Sequence, residues 1–227
     1  MKSVSSWIRS ETGGRFTFFY GYIVWAVATL GILATSPGQS FTVSLFIDHY
    51  IEDFQLGRTT VSGLYGLGTF LAALSLTHIG QLIDRYGNRR MVIVISILFA
   101  VVLGLLSLTA GPVTLLLGFI AIRMLGQGSL FLANSTLIAQ WFWKRRGRML
   151  SLTAVIYALF RSIYVPNLQR LLETMDWRQV WIVLGVAVGA TLPALFWLFV
   201  RDRPEELDLL PDGAAPDEVT PAGQEQN

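Results

Sequence analysis

The sequence contains no cysteine, and only 14% of its residues are charged. The absence of cysteine excludes disulfide-stabilised scaffolds and cysteine-ligated metal sites. Soluble domains carry about 25% charged residues. A chain of 227 residues that is 53% hydrophobic, with a mean hydropathy of +0.54, therefore lacks the polar surface of a water-soluble globule. These values predict a membrane protein with several spans.

The pattern of basic residues also does not indicate a nucleic-acid partner. The net charge is only +2 despite a pI near 9.1, and the basic residues form short clusters between apolar runs. Nucleic-acid-binding proteins instead collect basic residues on one face or along one helix. We therefore expect the lipid bilayer, and no nucleic acid, among the partners of this chain.

Long runs that lack Asp, Glu, Lys and Arg, some interrupted by one or two arginines, define the expected spans. A spanning helix needs about 20 mostly apolar residues to cross the hydrocarbon core of a bilayer. The turn signal Ala110-Gly111-Pro112 divides one long run in two, and Ser36-Pro37-Gly38 predicts a kink near the middle of the first helix. The sequence thus predicts an all-α membrane protein with six helices, over residues 18–47, 59–83, 90–109, 112–141, 149–171 and 178–200.

Both ends of the chain differ in composition from the six apolar runs. Residues 1–17 are polar and basic, and the apolar run after them is too long for a signal peptide. Residues 201–227 hold four of the eight prolines and eight of the fifteen acidic residues. We predict a cytoplasmic N-terminal segment over 1–17, a transmembrane bundle over 18–200 and a disordered cytoplasmic tail over 201–227.

Lysine and arginine are distributed unequally between the two sides of the predicted bundle. One side receives 12 of the 17 basic residues, the other side receives 3, and 2 fall deep inside the bilayer. Loops rich in lysine and arginine stay in the cytoplasm, and an even number of spans places both termini on one side. We therefore expect a multi-pass protein of the cell membrane whose N- and C-termini are cytoplasmic.

Four short motifs occupy loops and helix ends, most of them on the basic side, and a fifth lies inside the fourth predicted helix. The loop between the second and third predicted helices reads Gly80-Gln81-Leu82-Ile83-Asp84-Arg85-Tyr86-Gly87-Asn88-Arg89-Arg90. In it, Gly80 allows backbones to approach, Gly87 supplies a turn conformation and Asp84 suits a helix end. The other motifs are Arg123-Met124-Leu125-Gly126-Gln127-Gly128, Trp141-Phe142-Trp143-Lys144-Arg145-Arg146-Gly147-Arg148, Asp176-Trp177-Arg178 and Arg203-Pro204-Glu205-Glu206.

In this order and in these positions, the motifs resemble those of the major facilitator superfamily, in its monocarboxylate and oxalate/formate antiporter branch. The resemblance covers roughly residues 20–213. It implies the N-terminal six-helix half of the major facilitator fold, built as a 3+3 inverted repeat. It also implies that the first motif is a conformational latch that pairs with the other half; a plain positive loop on the cytoplasmic side is the alternative. The latch residues are Gly80, Asp84, Arg85, Gly87, Arg89 and Arg90.

Transporters of this kind rock one six-helix half against the other around a shared site. One half alone needs either a second copy of itself or a separately encoded C-terminal half. The expected function is therefore that of a transporter component, for a small, monocarboxylate-like organic anion. The alternative is a truncated, non-transporting membrane protein or an interaction subunit. The spacing of Gly185 and Gly189 suits either helix pairing between chains or packing inside the bundle.

Two arginines fall deep within the predicted helices, where a cation is costly. Arg123 and Arg161 both lie near the midplane, and no Asp or Glu falls within the six predicted helices. Two cations without an acid favour an anionic ligand, because a carboxylate fits a guanidinium bidentately. The alternatives are that Arg123 bonds helix carbonyls and that Arg161 has no transport role. The candidate substrate-binding residues are Arg123, Arg161, Gln39, Tyr65, Tyr157 and Asn134, of which the last four suit helix packing or a lipid interface equally well.

No pattern in the sequence indicates catalysis. An intramembrane serine protease with six helices needs a serine and a histidine that face each other at depth, and His78 lies near the end of a predicted helix. Metal-ligand spacings, phosphate-binding loops and nucleotide fingerprints are also absent from the sequence. We therefore expect a protein that is not an enzyme and that uses no cofactor or metal.

Overall fold

The computed structural model describes residues 19–207 and 209–213, and the secondary structure of that part is helical throughout. Six helices are long and apolar enough to cross a membrane, which confirms the predicted six-helix architecture. The predicted and observed ends differ most in the first span, which was predicted to end at residue 47 and ends at Phe54. Numbered in chain order, spans one to six are Gly21–Phe54, Arg58–Tyr86, Asn88–Leu106, Pro112–Trp141, Arg146–Thr174 and Trp177–Phe199.

Span one is broken in its middle, as the Ser-Pro-Gly sequence predicts. An α-helix over Gly21–Leu33 is followed by a 3-10 turn over Ser36–Gly38, and a second α-helix covers Ser40–Phe54. Between the two, Gln39 has an extended backbone with φ −89° and ψ 155°. Proline cannot donate a backbone hydrogen bond and its ring crowds the preceding turn, which favours a kink or a break at this point.

Span four departs from the regular helix that was predicted over residues 112–141. It is α-helical over Pro112–Ile122, π-helical over Arg123–Leu130 and α-helical again over Phe131–Trp141. The π-helical segment packs directly on the break of span one. A Cβ atom added at Gly38 would lie 2.6 Å from the carbonyl oxygen of Ile122. Short π segments inside α-helices are frequent at functional sites.

Glycines mark the close contacts between spans. A Cβ atom at Gly68 of span two would lie 3.0 Å from Phe119 Cβ of span four. Span six packs on span three, where a Cβ atom at Gly185 would lie 2.8 Å from the backbone oxygen of Ala100 and one at Gly189 would lie 2.9 Å from Ala100 Cβ. Of the two interpretations of the Gly185 and Gly189 spacing, the structure thus supports packing inside the bundle.

The described part of the tail folds back onto the basic end of the bundle, where the loops between spans two and three and between spans four and five lie. It contains short 3-10 turns over Pro204–Leu207 and Pro211–Gly213. Leu207 and Leu209 pack against the hydrophobic core. The described residues of the tail thus contact the bundle, whereas residues 1–18, 208 and 214–227 lie outside the described part. The predicted domain boundaries and the predicted disorder of the tail stay predictions.

At the opposite end of the bundle, spans one and six are tied together. Trp181 Nε1 donates to the hydroxyl of Tyr50 at 3.0 Å, and both side chains are fully buried. The carboxylate of Asp53 accepts from Trp177 Nε1 at 3.0 Å and from Arg178 Nη1 at 2.5 Å. These contacts hold the second half of span one, Ser40–Phe54, against span six.

Candidate functional site

The break of span one brings the two intramembrane arginines to one short stretch of chain, residues 38–41. Arg123 Nη1 donates to the carbonyl oxygen of Gly38 over 3.5 Å. The Arg161 guanidinium lies over the ring of Phe41, with its Cζ 4.7 Å from the ring centroid. Residues 38–41 therefore lie between span four, which carries Arg123, and span five, which carries Arg161.

Span two completes this cluster through Tyr65. The Arg123 guanidinium lies over the Tyr65 ring, with its Cζ 5.3 Å from the centroid. The Tyr65 hydroxyl donates to Ser40 Oγ at 3.3 Å. A guanidinium is attracted to the face of an aromatic ring, so both arginines rest on rings, and each ring is anchored next to the break.

Both arginines lie far from the ends of their spans. Arg123 is 11 residues from the start of span four and Arg161 is 15 residues from the start of span five, which places them roughly 16 Å and 22 Å along their helices. Arg123 is half-buried and its Nε atom has no hydrogen-bond partner among the described residues. Arg161 is exposed at the surface of the bundle.

No carboxylate neutralises either arginine within the described residues. The two ion pairs found there, Arg58 with Asp48 and Arg178 with Asp53, lie at the opposite end of the bundle. A cation–π contact contributes about 0.5–2 kcal/mol and leaves the positive charge without a counterion. The cluster thus keeps two cationic groups with free donors, which is the chemistry that binds a carboxylate, sulfonate or phosphate.

A patch of aromatic residues lies beside Arg161. The Phe41 ring makes edge-on contacts with Tyr157 and Tyr164, with centroids 6.4 Å and 6.1 Å away. Tyr164 is also held at the break, because Thr42 Oγ1 donates to its hydroxyl at 3.3 Å. Tyr157, predicted from the sequence, is therefore next to Phe41 and on the same side as Arg161.

Two predicted residues lie outside this contact network. Gln39 is at the break, but its Nε2 atom donates to Thr35 Oγ1 at 3.2 Å within span one. Asn134 is fully buried, donates to the carbonyl oxygen of Leu130 at 2.7 Å and packs against Gly31. The geometry gives Asn134 a packing role between spans one and four, about three helical turns from Arg123.

Ser40 and Phe41 were not singled out from the sequence. Nothing in their residue types distinguishes them from other polar or aromatic residues of a membrane helix. The signal that points to them is their position directly after Ser36-Pro37-Gly38, because side chains at a helix break lie where neighbouring helices can reach the backbone.

The predicted latch loop joins spans two and three through Gly87, whose φ of +85° suits glycine. A Cβ atom there would lie 2.8 Å from Asp202 Oδ2. Asp202 accepts from the backbone nitrogen of Arg89 at 2.6 Å, and so caps the first turn of span three. The Arg89 side chain donates to the carbonyl oxygens of Phe196 and Trp197, at 3.2 Å and 2.5 Å.

The remaining latch residues face outwards. Asp84, Arg85 and Arg90 are exposed, and they form no ion pair within the described part of the chain. Gly80 makes no close backbone contact, since a Cβ atom there would meet only Leu132 Cδ2, at 4.0 Å. The loop thus uses Gly87 and Arg89 inside this bundle and presents Asp84, Arg85 and Arg90 to its surroundings.

Comparison with known proteins identifies the family. A family model described as the major facilitator superfamily matches residues 28–224. The uncharacterised transporter YybO of Bacillus subtilis (strain 168) is 25% identical over 188 residues, which cover 82% of this chain and 42% of that protein. The probable sulfoacetate transporter SauU of Cupriavidus necator (strain H16) is 28% identical over 129 residues, which cover 56% of this chain and 29% of that protein.

The chain thus spans less than half the length of these two curated relatives. Its six spans match one half of the facilitator fold, and the family model covers nearly all of the described bundle. The chain is a multi-pass membrane protein that belongs to the major facilitator superfamily of transporters.

Proposed function

We propose that this chain is one half of a carrier for a small organic anion. The observation that carries the proposal is the placement of Arg123 and Arg161 around residues 38–41, at mid-depth and without a carboxylate partner among the described residues. An arginine in the middle of a bilayer costs about 2.5–3.5 kcal/mol on insertion scales. A bound anion offsets that cost in the state that holds the substrate.

Two guanidinium groups suit an anion with a negative charge at each end. They also suit an anion with one charged group that both guanidinium groups hold. Each guanidinium presents a planar fork of donors that matches a carboxylate or a sulfonate. One relative is named as a probable sulfoacetate transporter, and this name supports a small anion of this chemistry. The substrate class is therefore a short carboxylate or sulfonate, and the aromatic rings of Phe41 and Tyr65 form the less polar walls.

A second six-helix bundle completes the site in this proposal. Arg161 is exposed at mid-depth on span five, and its neighbours Leu159 and Ile163 are 62% and 65% exposed. Lipid tails cannot solvate a guanidinium, so the face that carries Arg161 needs water or protein against it. When two bundles rock around a shared site, this face is covered by protein in one state and reached by water in the other.

The proposed orientation in the membrane rests on the distribution of basic residues. The end of the bundle with the latch loop and the loop between spans four and five carries most of the 17 basic residues, which supports a cytoplasmic position in the cell membrane. The described start of the chain at Phe19 and the described tail lie at the same end, as an even number of spans requires.

Ligand-induced stabilisation tests the proposal without the need for transport. The purified chain is heated in detergent with sulfoacetate, oxalate or lactate, and with choline and glucose as matched solutes without anionic groups. A ligand that binds the folded state raises the midpoint of unfolding. We expect a rise with at least one anion, its loss in Arg123→Gln and in Arg161→Gln, and its retention in Arg170→Gln, an exposed cation on the same span as Arg161.

The same protein in proteoliposomes identifies the second bundle. Uptake by a dimer of this chain indicates a second copy, and uptake only after addition of a further polypeptide indicates a separate half. If no anion stabilises the chain, or if stabilisation survives both arginine substitutions, the anion site is wrong. A non-transporting interaction subunit then becomes the better interpretation.

A further inference from the structure

Trp143 differs sharply from its neighbours at the end of span four. Trp141 and Phe142 are fully buried, whereas Trp143 is 80% exposed. Trp141 Nε1 donates to the carbonyl oxygen of Arg201 at 3.1 Å, which fixes the end of the span against the tail. The exposed indole therefore projects from a well-anchored backbone at the level where the span leaves the membrane.

Four cations follow Trp143 directly. Lys144, Arg145, Arg146 and Arg148 are all exposed, and none of them forms an ion pair with a described acidic residue. Arg145 Nη1 donates to the hydroxyl of Tyr22 at 3.2 Å, which holds that side chain beside the start of span one. We call residues 143–148 the basic-aromatic loop.

The backbone of this loop is already occupied by an anion from the chain itself. The Asp212 carboxylate accepts from the backbone nitrogens of Trp143, Lys144 and Arg145, at 2.9 Å, 2.6 Å and 3.2 Å. Successive backbone N–H groups form an anion-binding concavity, and Asp212 fills it. A further anion therefore has to be held by the side chains, whose four positive charges exceed the one negative charge of Asp212.

We propose that the basic-aromatic loop binds the headgroup of an anionic phospholipid of the bilayer. Indole rings prefer the level of the lipid headgroups, so Trp143 inserts there and places the four cations next to lipid phosphates. Clusters of four or more cations directly beside a span attract anionic lipid. This site is separate from the Arg123 and Arg161 cluster and does not depend on the transported solute.

Quenching of tryptophan fluorescence by brominated lipids tests the proposal. The full chain is placed in phosphatidylcholine bilayers that contain either brominated phosphatidylglycerol or, at the same mole fraction, brominated phosphatidylcholine. We expect stronger quenching by the anionic lipid in the unmodified chain, and a smaller difference in Trp143→Phe, in which the exposed Trp197 remains at the same end of the bundle. Neutralising one cation is expected to weaken the preference about five-fold, because each basic residue near the surface contributes about 1 kcal/mol.

Two further variants separate this site from general attraction between the protein and charged lipid. Replacing Lys144, Arg145, Arg146 and Arg148 by Gln keeps Trp143 but is expected to make quenching by the two lipids equal. Replacing Arg58 and Arg170 by Gln lowers the net charge at the opposite end and is expected to leave the preference unchanged. Equal quenching by both lipids in the unmodified chain, or a preference that survives the four Gln substitutions, overturns the proposal.

Discussion

The Arg123 guanidinium lies over the ring of Tyr65, with its Cζ 5.3 Å from the ring centroid. Its other described contact, with the carbonyl oxygen of Gly38, is long at 3.5 Å. The ring therefore positions the guanidinium without using its N–H donors, since a cation–π contact needs none of them. An arginine held in this way is placed in advance for an anion that accepts two hydrogen bonds.

The first prediction concerns that arrangement. Arg123→Lys keeps the charge but removes the planar fork of donors, so we expect the affinity for the anion to fall at least about ten-fold, or about 1.4 kcal/mol. Tyr65→Phe keeps the ring and is expected to retain most of the affinity. Both are measured as the ligand concentration needed for half-maximal thermal stabilisation. An equal loss in the two variants would contradict a role for the guanidinium fork.

The second prediction concerns the contact between the broken span one and the π-helical segment of span four. A Cβ atom at Gly126 would lie 2.7 Å from Phe99 Cζ and 3.2 Å from Gly38 Cα. We expect Gly38→Ala and Gly126→Ala each to destabilise the fold by about 1–3 kcal/mol, as overpacking does. The measurement is the midpoint of thermal unfolding in detergent.

Gly66→Ala is the matched control for those two substitutions. Gly66 lies inside span two, and a Cβ atom there would meet nothing within 4 Å. Because alanine is a better helix former than glycine by about 1 kcal/mol, this variant should be as stable as the unmodified chain or more so. If all three substitutions lower the midpoint alike, close packing at the break is not the cause.

The third prediction concerns Asp202, which caps span three at the latch loop. Asp202→Ala removes the acceptor for the Arg89 backbone nitrogen, and we expect a loss of about 1 kcal/mol. It should also raise the rate of proteolysis or amide exchange in the loop between spans two and three. Glu206→Ala changes an exposed acid of the same tail and should leave the loop protected. Equal protection in both variants would show that the cap does not hold the loop.

The fourth prediction concerns the buried pair at the opposite end. Trp181 Nε1 donates to the Tyr50 hydroxyl at 3.0 Å, and the Trp181 and Phe46 rings stack with centroids 4.2 Å apart. Tyr50→Phe leaves the indole N–H without its acceptor, at a cost of about 1–3 kcal/mol. The double substitution with Trp181→Phe is expected to cost less than the sum of the two single changes, which a thermodynamic cycle from unfolding measures. Additive costs would contradict the coupling.

The features that could be predicted from the sequence are those that depend on short stretches of chain. The six spans follow from hydrophobic length, and the break at Ser36–Gly38 follows from the chemistry of one proline beside one glycine. The π-helical segment over Arg123–Leu130 could not be predicted in the same way. It depends on contacts with Gly38 and Phe99, which are distant in sequence.

Only part of the candidate site could be predicted, again because some of its features are local in sequence and others depend on contacts between distant residues. Arg123 and Arg161 stand out in the sequence because a cation inside a span is rare and costly. That both rest on aromatic rings next to residues 38–41 is a property of the packed helices. Asp202 and Asp212 were placed in a disordered tail because local composition cannot show that a carboxylate caps a loop more than 60 residues away.

The π-helical segment gives span four more residues than an α-helix of the same length would hold. Conversion of this segment to α-helix would shift the register between Pro112–Ile122 and Phe131–Trp141. Each residue of such a shift rotates one part relative to the other by about 100°, the angle between neighbours in an α-helix. Arg123 is the first residue of this segment, so a change in winding would turn its side chain relative to Phe131–Trp141 and change its contact with Tyr65.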